Sequence, residues 1–168
     1  MKTERTMLRL ENLTTVAKVI FISGEICSGK DTQIEKRYFS EEFVHIDLGQ
    51  LVREKFQTQN RVFNNNLESY FVERVLGFQA LNEGKIFVIT GLRQPTLAVK
   101  LATLFDEVKY IYLVVPRKEL KRRYEARASV KDQKITFEDA IAGDQSLGMK
   151  DLQYYLLTEV ECDFINNY

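Results

Sequence analysis

The chain reads as a three-layer α/β fold, a parallel β-sheet covered by helices on both faces. Three observations predict it. Short apolar runs recur at Val16-Ala17-Lys18-Val19-Ile20-Phe21-Ile22, Phe43-Val44-His45-Ile46, Lys85-Ile86-Phe87-Val88-Ile89 and Tyr110-Ile111-Tyr112-Leu113-Val114-Val115. Runs of this length and composition suit strands with both faces buried. Segments of helical periodicity lie between them, and that alternation favours parallel strands joined by helical crossovers. At 168 residues, with no repeat, low-complexity tract or evident linker, the chain is the size of one domain.

The elements follow in order. Residues 1–15 read as a loosely ordered leader or a short helix. The first strand ends at Ser23-Gly24, and a helix is expected from Thr32 to Phe39. The second strand, Phe43 to Ile46, leads into a helix from Asp47 to about Gln57. Asn64-Asn65-Asn66 marks a turn and helix start. Leu67, Tyr70, Phe71, Val75, Phe78 and Leu81 then recur at helical spacing until Gly84 ends the helix. Of these, Tyr70, Phe71 and Phe78 read as the helix's core face. The third strand, Lys85 to Ile89, is followed by a helix from Thr96 to Phe105. The fourth strand runs to Val115, and Pro116 opens a helix to about Ala128. One or two helices are expected between Phe137 and Val160, then a last short strand around Asp163-Phe164-Ile165.

Composition narrows the function. Lys plus Arg and Asp plus Glu both number 24, so no overall basic field points to nucleic acid as a partner. An anionic ligand must instead be held by a local basic cluster. The single histidine, His45, excludes His-rich metal sites and a Ser-His-Asp triad, and it reads as structural. Cys27 and Cys162 make no zinc or disulfide pattern. No run of 18 apolar residues occurs, and Met1 to Leu13 is polar rather than signal-like, so the expected compartment is the cytoplasm with no membrane association.

In parallel sheets of this kind, ligands bind beyond the carboxyl ends of the strands. The chemistry is therefore expected after Ile22, Ile46, Ile89 and Val115. The first strand leads directly into Gly24-Glu25-Ile26-Cys27-Ser28-Gly29-Lys30-Asp31-Thr32, a G-x-x-x-x-G-K sequence between a strand and a helix. Glycines let backbone N–H groups turn inward around phosphate oxygens, and the helix N-terminus adds partial positive charge. Lys30 brings a full charge to the β and γ phosphates of a nucleotide. Cys27 sits inside this cradle, where small size is the simplest reason for it. Asp31 stands where Ser or Thr usually follows the lysine, with the hydroxyl one place later at Thr32. The Asp31 carboxylate either helps hold Mg²⁺ beside the triphosphate or is a favourable acid in a first helical turn.

These residues carry a resemblance. Gly-Lys-Asp-Thr-Gln at 29–33 resembles the Gly-Lys-x-Thr-Gln of adenylate and thymidylate kinases, and Gly-Lys-Asp-Thr looks like viral deoxynucleoside monophosphate kinases. Gly91-Leu92-Arg93-Gln94-Pro95 resembles the Gly-x-Arg of an archaeal group related to dephospho-CoA kinase. Asp144-Gln145-Ser146-Leu147-Gly148 and Cys162-Asp163-Phe164-Ile165-Asn166-Asn167 are similar to the ending of that group. The resemblance spans roughly residues 16–167. It implies a P-loop kinase with a five-stranded parallel sheet of order 2-3-1-4-5 and Mg-ATP as phosphoryl donor. It also implies a nucleotide-like acceptor, an acceptor-binding segment at about 50–83 and a lid at about 128–140.

Two acceptor chemistries need different residues. A monophosphate acceptor is already nucleophilic and needs cations, whereas a hydroxyl acceptor benefits from a carboxylate base. By the resemblance, Arg53 and Arg93 hold the acceptor phosphate. Arg123 and Arg127, four residues apart on one helical face, clamp the donor. Asp47 matches the base of dephospho-CoA kinase, and it equally suits an N-cap of the following helix. Two departures are plain: Thr90-Gly91 replaces the Asp-Gly of adenylate kinases, and the lid region is short. A nucleotide-binding regulatory protein with weak ATPase activity is a further reading.

Overall fold

The computed structural model describes residues 16–56, 65–131 and 135–168. The expected leader at 1–15 lies outside them. The sheet is built from β1 (Lys18–Ser23), β2 (Phe43–Asp47), β3 (Ile86–Thr90), β4 (Glu107–Val114) and β5 (Cys162–Asn166). Its order is β2-β3-β1-β4-β5, as expected. Every pairing is parallel, with Ile22 opposite Thr90 on one side and Ile111 on the other, and Asp47 also opposite Thr90. That register ends β1, β2 and β3 at one level and sets Ser23, Asp47 and Thr90 along one edge. β4 begins earlier than its apolar run suggests. Its charged start, Glu107 to Lys109, still pairs with β1, because hydrogen bonding to a neighbouring strand does not require apolar side chains.

The helices are α1 (Lys30–Arg37), α2 (Leu48–Phe56), α3 (Asn65–Leu81), α4 (Pro95–Ala102), α5 (Arg117–Lys131), α6 (Phe137–Ser146) and α7 (Met149–Thr158). The tail thus contains two helices. Of the expected lid, residues 132–134 lie outside the described ones, and the flanks belong to α5 and α6. Of the expected acceptor segment, α2 and α3 are described and 57–64 are not.

Both sheet faces are covered, so neighbours along one strand are buried on opposite sides: Phe21 is 0% exposed and Ile22 1%. Val19, Phe21, Ile46, Phe87 and Ile89 pack against Leu51 and Val52 of α2, Phe71 and Val75 of α3, Leu97 and Leu101 of α4, and Leu152 and Leu156 of α7. Tyr70 and Phe78 pack at the edge of this core and Phe71 within it. Ile22, Val88, Ile111 and Leu113 pack against Ile34 of α1 on the other face. Burying one such side chain stabilises the fold by about 1.5–3 kcal/mol. A third cluster joins Val115, Leu120, Tyr124, Phe137 and Ile141 beside the loop that follows β1.

Local chemistry sets the last helices. Thr136 caps α6 by accepting the Asp139 amide at 3.1 Å, with Glu138 and Asp139 in the first turn. Gly148, at φ 106°, turns the chain from α6 into α7; a Cβ there would lie 3.1 Å from the Arg93 carbonyl oxygen. This corner therefore rests on the loop after β3, where Gln94 Nε2 donates to the Leu147 carbonyl at 2.6 Å. Among the described residues, no helix is long and apolar enough to cross a membrane.

Candidate active site

The loop from Gly24 to Gly29 curls between β1 and α1, and α1 starts at Lys30, two residues before the expected start. Gly29 explains the early start. At φ 93° it is the N-cap, in a left-handed conformation that glycine adopts without steric cost. Cys27 is also left-handed, at φ 60°. Inside the loop the Ser28 amide donates to the Glu25 carbonyl at 3.1 Å, and the Gln33 amide is the first to reach back into the helix, to Gly29. The amides of Lys30, Asp31 and Thr32 belong to the unpaired first turn of a helix, the arrangement that binds anions.

Lys30 curls back over this loop. Its Nζ donates to the carbonyls of Gly24 at 2.8 Å and Glu25 at 3.0 Å, and to Ser28 Oγ at 3.3 Å. Burial, and then the nearby Arg93 guanidinium, lower its pKa to about 8, against the opposing pull of Asp144 and Asp31. Asp31, in the first turn of α1, is exposed. Burial lowers the pKa of His45; its Nε2 lies 2.8 Å from Thr90 Oγ1. His45 thus engages the hydroxyl of Thr90 at the end of β3.

Three contacts brace the loop from outside. Asn167, just past β5, donates from Nδ2 to the Ser28 carbonyl at 2.7 Å and accepts from Gln33 Nε2 at 3.1 Å. Arg123 on α5 donates to the Asn167 carbonyl at 2.7 Å and to the Cys27 carbonyl at 3.3 Å. It also pairs with Glu119 at 3.0 Å. Hydrogen bonds from Arg122 and Arg123 hold the Glu119 carboxyl down at about 2. The third brace is Asp144 on α6, whose Oδ2 accepts the Ile26 amide at 3.1 Å.

A narrow pocket is walled by Leu48, Val52, Leu67 and Phe71, with Gly91, Arg93, Gln94 and Leu147 completing its lining. Arg93 is 13% exposed; its Nε lies 2.8 Å from Asp144 Oδ1 and its Nη1 donates to the Gly91 carbonyl at 3.0 Å. Asp47 closes β2. Its Oδ1 accepts the Gly49 amide at 2.9 Å, which caps α2, and its Oδ2 lies 3.6 Å from Arg53 Nη2.

No family model matches the chain, and no curated relative was found. Solved structures do match. A gluconokinase from Sinorhizobium meliloti 1021 is similar with a TM-score of 0.62 at 12% identity, over 91% of this chain and 83% of that one. A shikimate kinase from Bacteroides thetaiotaomicron is similar with a TM-score of 0.55 at 18% identity, over 89% and 86%. The Pnkp1/Rnl/Hen1 RNA repair complex contains a chain similar with a TM-score of 0.60 at 18% identity; 83% of this chain covers 45% of that one. The fold is that of the P-loop kinases.

Within this P-loop kinase fold, the structure brings Lys30, Asp31, Arg93 and Arg123 to one end of the sheet, and Asp47 and Arg53 to the neighbouring strand end. Thr32 follows Asp31 in the first turn of α1, both exposed, whereas Arg127 lies one turn beyond Arg123, away from the loop, and is exposed. Two further residues of the P-loop surroundings, Asp144 and Asn167, had no role assigned from the sequence. Asp144 was findable: Phe137, Ala140, Ile141 and Asp144 make one buried stripe of α6, and a carboxylate on an apolar stripe implies a buried partner. Asn167 lies at the carboxyl end of a strand, where P-loop folds bind ligands.

Proposed function

We propose that this chain is a cytoplasmic enzyme that transfers the γ-phosphoryl group of ATP to a nucleoside or deoxynucleoside monophosphate. The observation that carries the reading is Arg93, which lines the apolar pocket and is joined through Asp144 to the P-loop. An apolar pocket with a guanidinium in its lining would, once widened by the ligand, suit a flat base bearing a phosphate, and Arg53 on the adjoining α2 supplies a second fork.

The chemistry asked of the protein is positioning and charge neutralisation. Lys30 exchanges its contacts with Gly24, Glu25 and Ser28 for the β and γ phosphate oxygens, and Arg123 borders the donor. Arg93 and Arg53 hold the acceptor phosphate so that its oxygen attacks the γ-phosphorus in line. The bond to the β–γ bridging oxygen breaks, ADP leaves, and the acceptor becomes a diphosphate. No base is needed, because the attacking oxygen is already anionic. Asp31 and Thr32 offer the hard oxygen donors that suit Mg²⁺ beside phosphate oxygens and water, and the ion would neutralise charge on the triphosphate.

A second reading, phosphorylation of a hydroxyl, is favoured by Asp47. Its Oδ2 accepts no hydrogen bond among the described residues and lies 3.6 Å from Arg53 Nη2, so it is the oxygen an acceptor hydroxyl would meet at the end of β2. A coupled ADP-release assay across nucleoside monophosphates, nucleosides and dephospho-CoA separates the readings. Stimulation by monophosphates alone supports the first and stimulation by nucleosides or dephospho-CoA the second. ATP binding without acceptor-stimulated turnover contradicts both and favours a regulatory nucleotide-binding protein.

A further inference from the structure

Asp144 is the acid in the site with no part in the reaction described above. It comes from α6, whose stripe of Phe137, Ala140 and Ile141 packs into the cluster under the P-loop; one more turn carries the carboxylate inside, to 6% exposure. Both of its oxygens are used, and they point to different halves of the site. Oδ1 faces Arg93 Nε at 2.8 Å, on the acceptor side, and Oδ2 faces the Ile26 amide at 3.1 Å, on the donor side.

We infer that Asp144 is a positioning residue that aims the Arg93 guanidinium at the acceptor phosphate. This rests on the proposed phosphoryl-transfer reading. With Nε held by Asp144 and Nη1 by the Gly91 carbonyl, the guanidinium plane is fixed. Nη2 has no partner among the described residues and is the nitrogen left for an oxygen of that phosphate. A buried carboxylate is costly unless it is paired, and a surface arginine would need no such anchor. The contact is not what docks the α6–α7 corner to the loop after β3. The Gln94 side-chain amide on the Leu147 carbonyl and the close approach of Gly148 to the Arg93 carbonyl do that. Replacing the carboxylate by an amide therefore loosens the arginine while leaving the docking in place.

The test is Asp144→Asn, read on the acceptor the wild type uses best. The expected result is a fall in kcat of about 100-fold, the order that a misplacement of ~1 Å costs, with KM for ATP changed less than about threefold. Arg93→Ala should fall at least as far, and Asp144→Asn/Arg93→Ala no further than Arg93→Ala alone. Added guanidinium ion should recover about tenfold of the lost rate in Arg93→Ala and none in the double variant, a rescue that a merely structural role does not give. A kcat in Asp144→Asn within about threefold of wild type, or losses that multiply in the double variant, overturns the inference. Should Asp144→Asn melt below assay temperature, guanidinium rescue of Arg93→Ala decides, and its absence overturns the inference. A wild type with no acceptor-stimulated turnover overturns the function reading and this inference together. An active wild type with an indifferent Asp144→Asn overturns this inference alone.

Discussion

The ammonium of Lys30 lies 2.8 Å from the carbonyl oxygen of Gly24, the residue that opens the loop Lys30 closes. The lysine thus spans its own cradle, its charge satisfied by Gly24, Glu25 and Ser28 until phosphate oxygens replace them. That exchange has a pH signature. Burial lowers the Lys30 pKa to about 8, so above that pH the free protein loses the proton, whereas bound triphosphate favours the charged form. Between pH 8 and 9, ATP binding should take up protons and weaken by at most about tenfold per pH unit. Calorimetry in buffers of different ionisation enthalpy measures the uptake, and Lys30→Arg should abolish it. Because the folded pKa lies below the unfolded one, the same group makes folding more favourable as pH rises from about 8 to 10.5.

Gly29→Ala tests the shape of the loop. An alanine at φ 93° is strained by about 1–2 kcal/mol, and its Cβ would press on Asn167 Nδ2, which braces the Ser28 carbonyl. A melting temperature lower by about 2–8 °C is expected, with ATP affinity reduced at least about tenfold. Thermal melts and calorimetry measure the two effects.

Arg123→Ala removes a guanidinium that ties the Cys27 carbonyl, Asn167 and Glu119 together. Hydrogen bonds from a charged group are worth about 1.5–3 kcal/mol, so ATP affinity should fall by about 10- to 100-fold while the acceptor KM stays within about threefold. Titration with a non-hydrolysable ATP analogue and steady-state kinetics measure these.

How much of this was legible in the sequence depends on whether the cause is local. The positions of the strands and the cradle at 24–30 follow from apolar runs and a glycine pattern that lie contiguous in the chain, and the order of the strands from the resemblance to P-loop kinases. The start of α1 was placed two residues late, because a glycine N-cap carries no side-chain signal. Asp144 and Asn167 reach the P-loop from more than a hundred residues away, and only the fold brings them there. Arg123 and Arg127 share a helical face by spacing. Only Arg123 touches the loop, because a turn of helix carries Arg127 about 5–6 Å further along.

Asp47 and Arg53 divide the two acceptor chemistries. Asn caps a helix as well as Asp does, so Asp47→Asn should keep the cap of α2 and the melting temperature while removing the charge. With a monophosphate acceptor, kcat should fall less than about tenfold; a loss of 100-fold or more is about what removing a base costs. Arg53→Ala should raise the acceptor KM by about tenfold and leave that for ATP alone. Little effect from Arg53→Ala counts against a phosphate-bearing acceptor.

The most direct measurement follows the label of γ-³²P-ATP with deoxynucleoside and ribonucleoside monophosphates as acceptors, for wild type and Lys30→Met. Labelled nucleoside diphosphate is the expected product, formed at least about 100-fold more slowly by Lys30→Met. Label that stays in ATP, or appears only as inorganic phosphate whichever monophosphate is present, would contradict it.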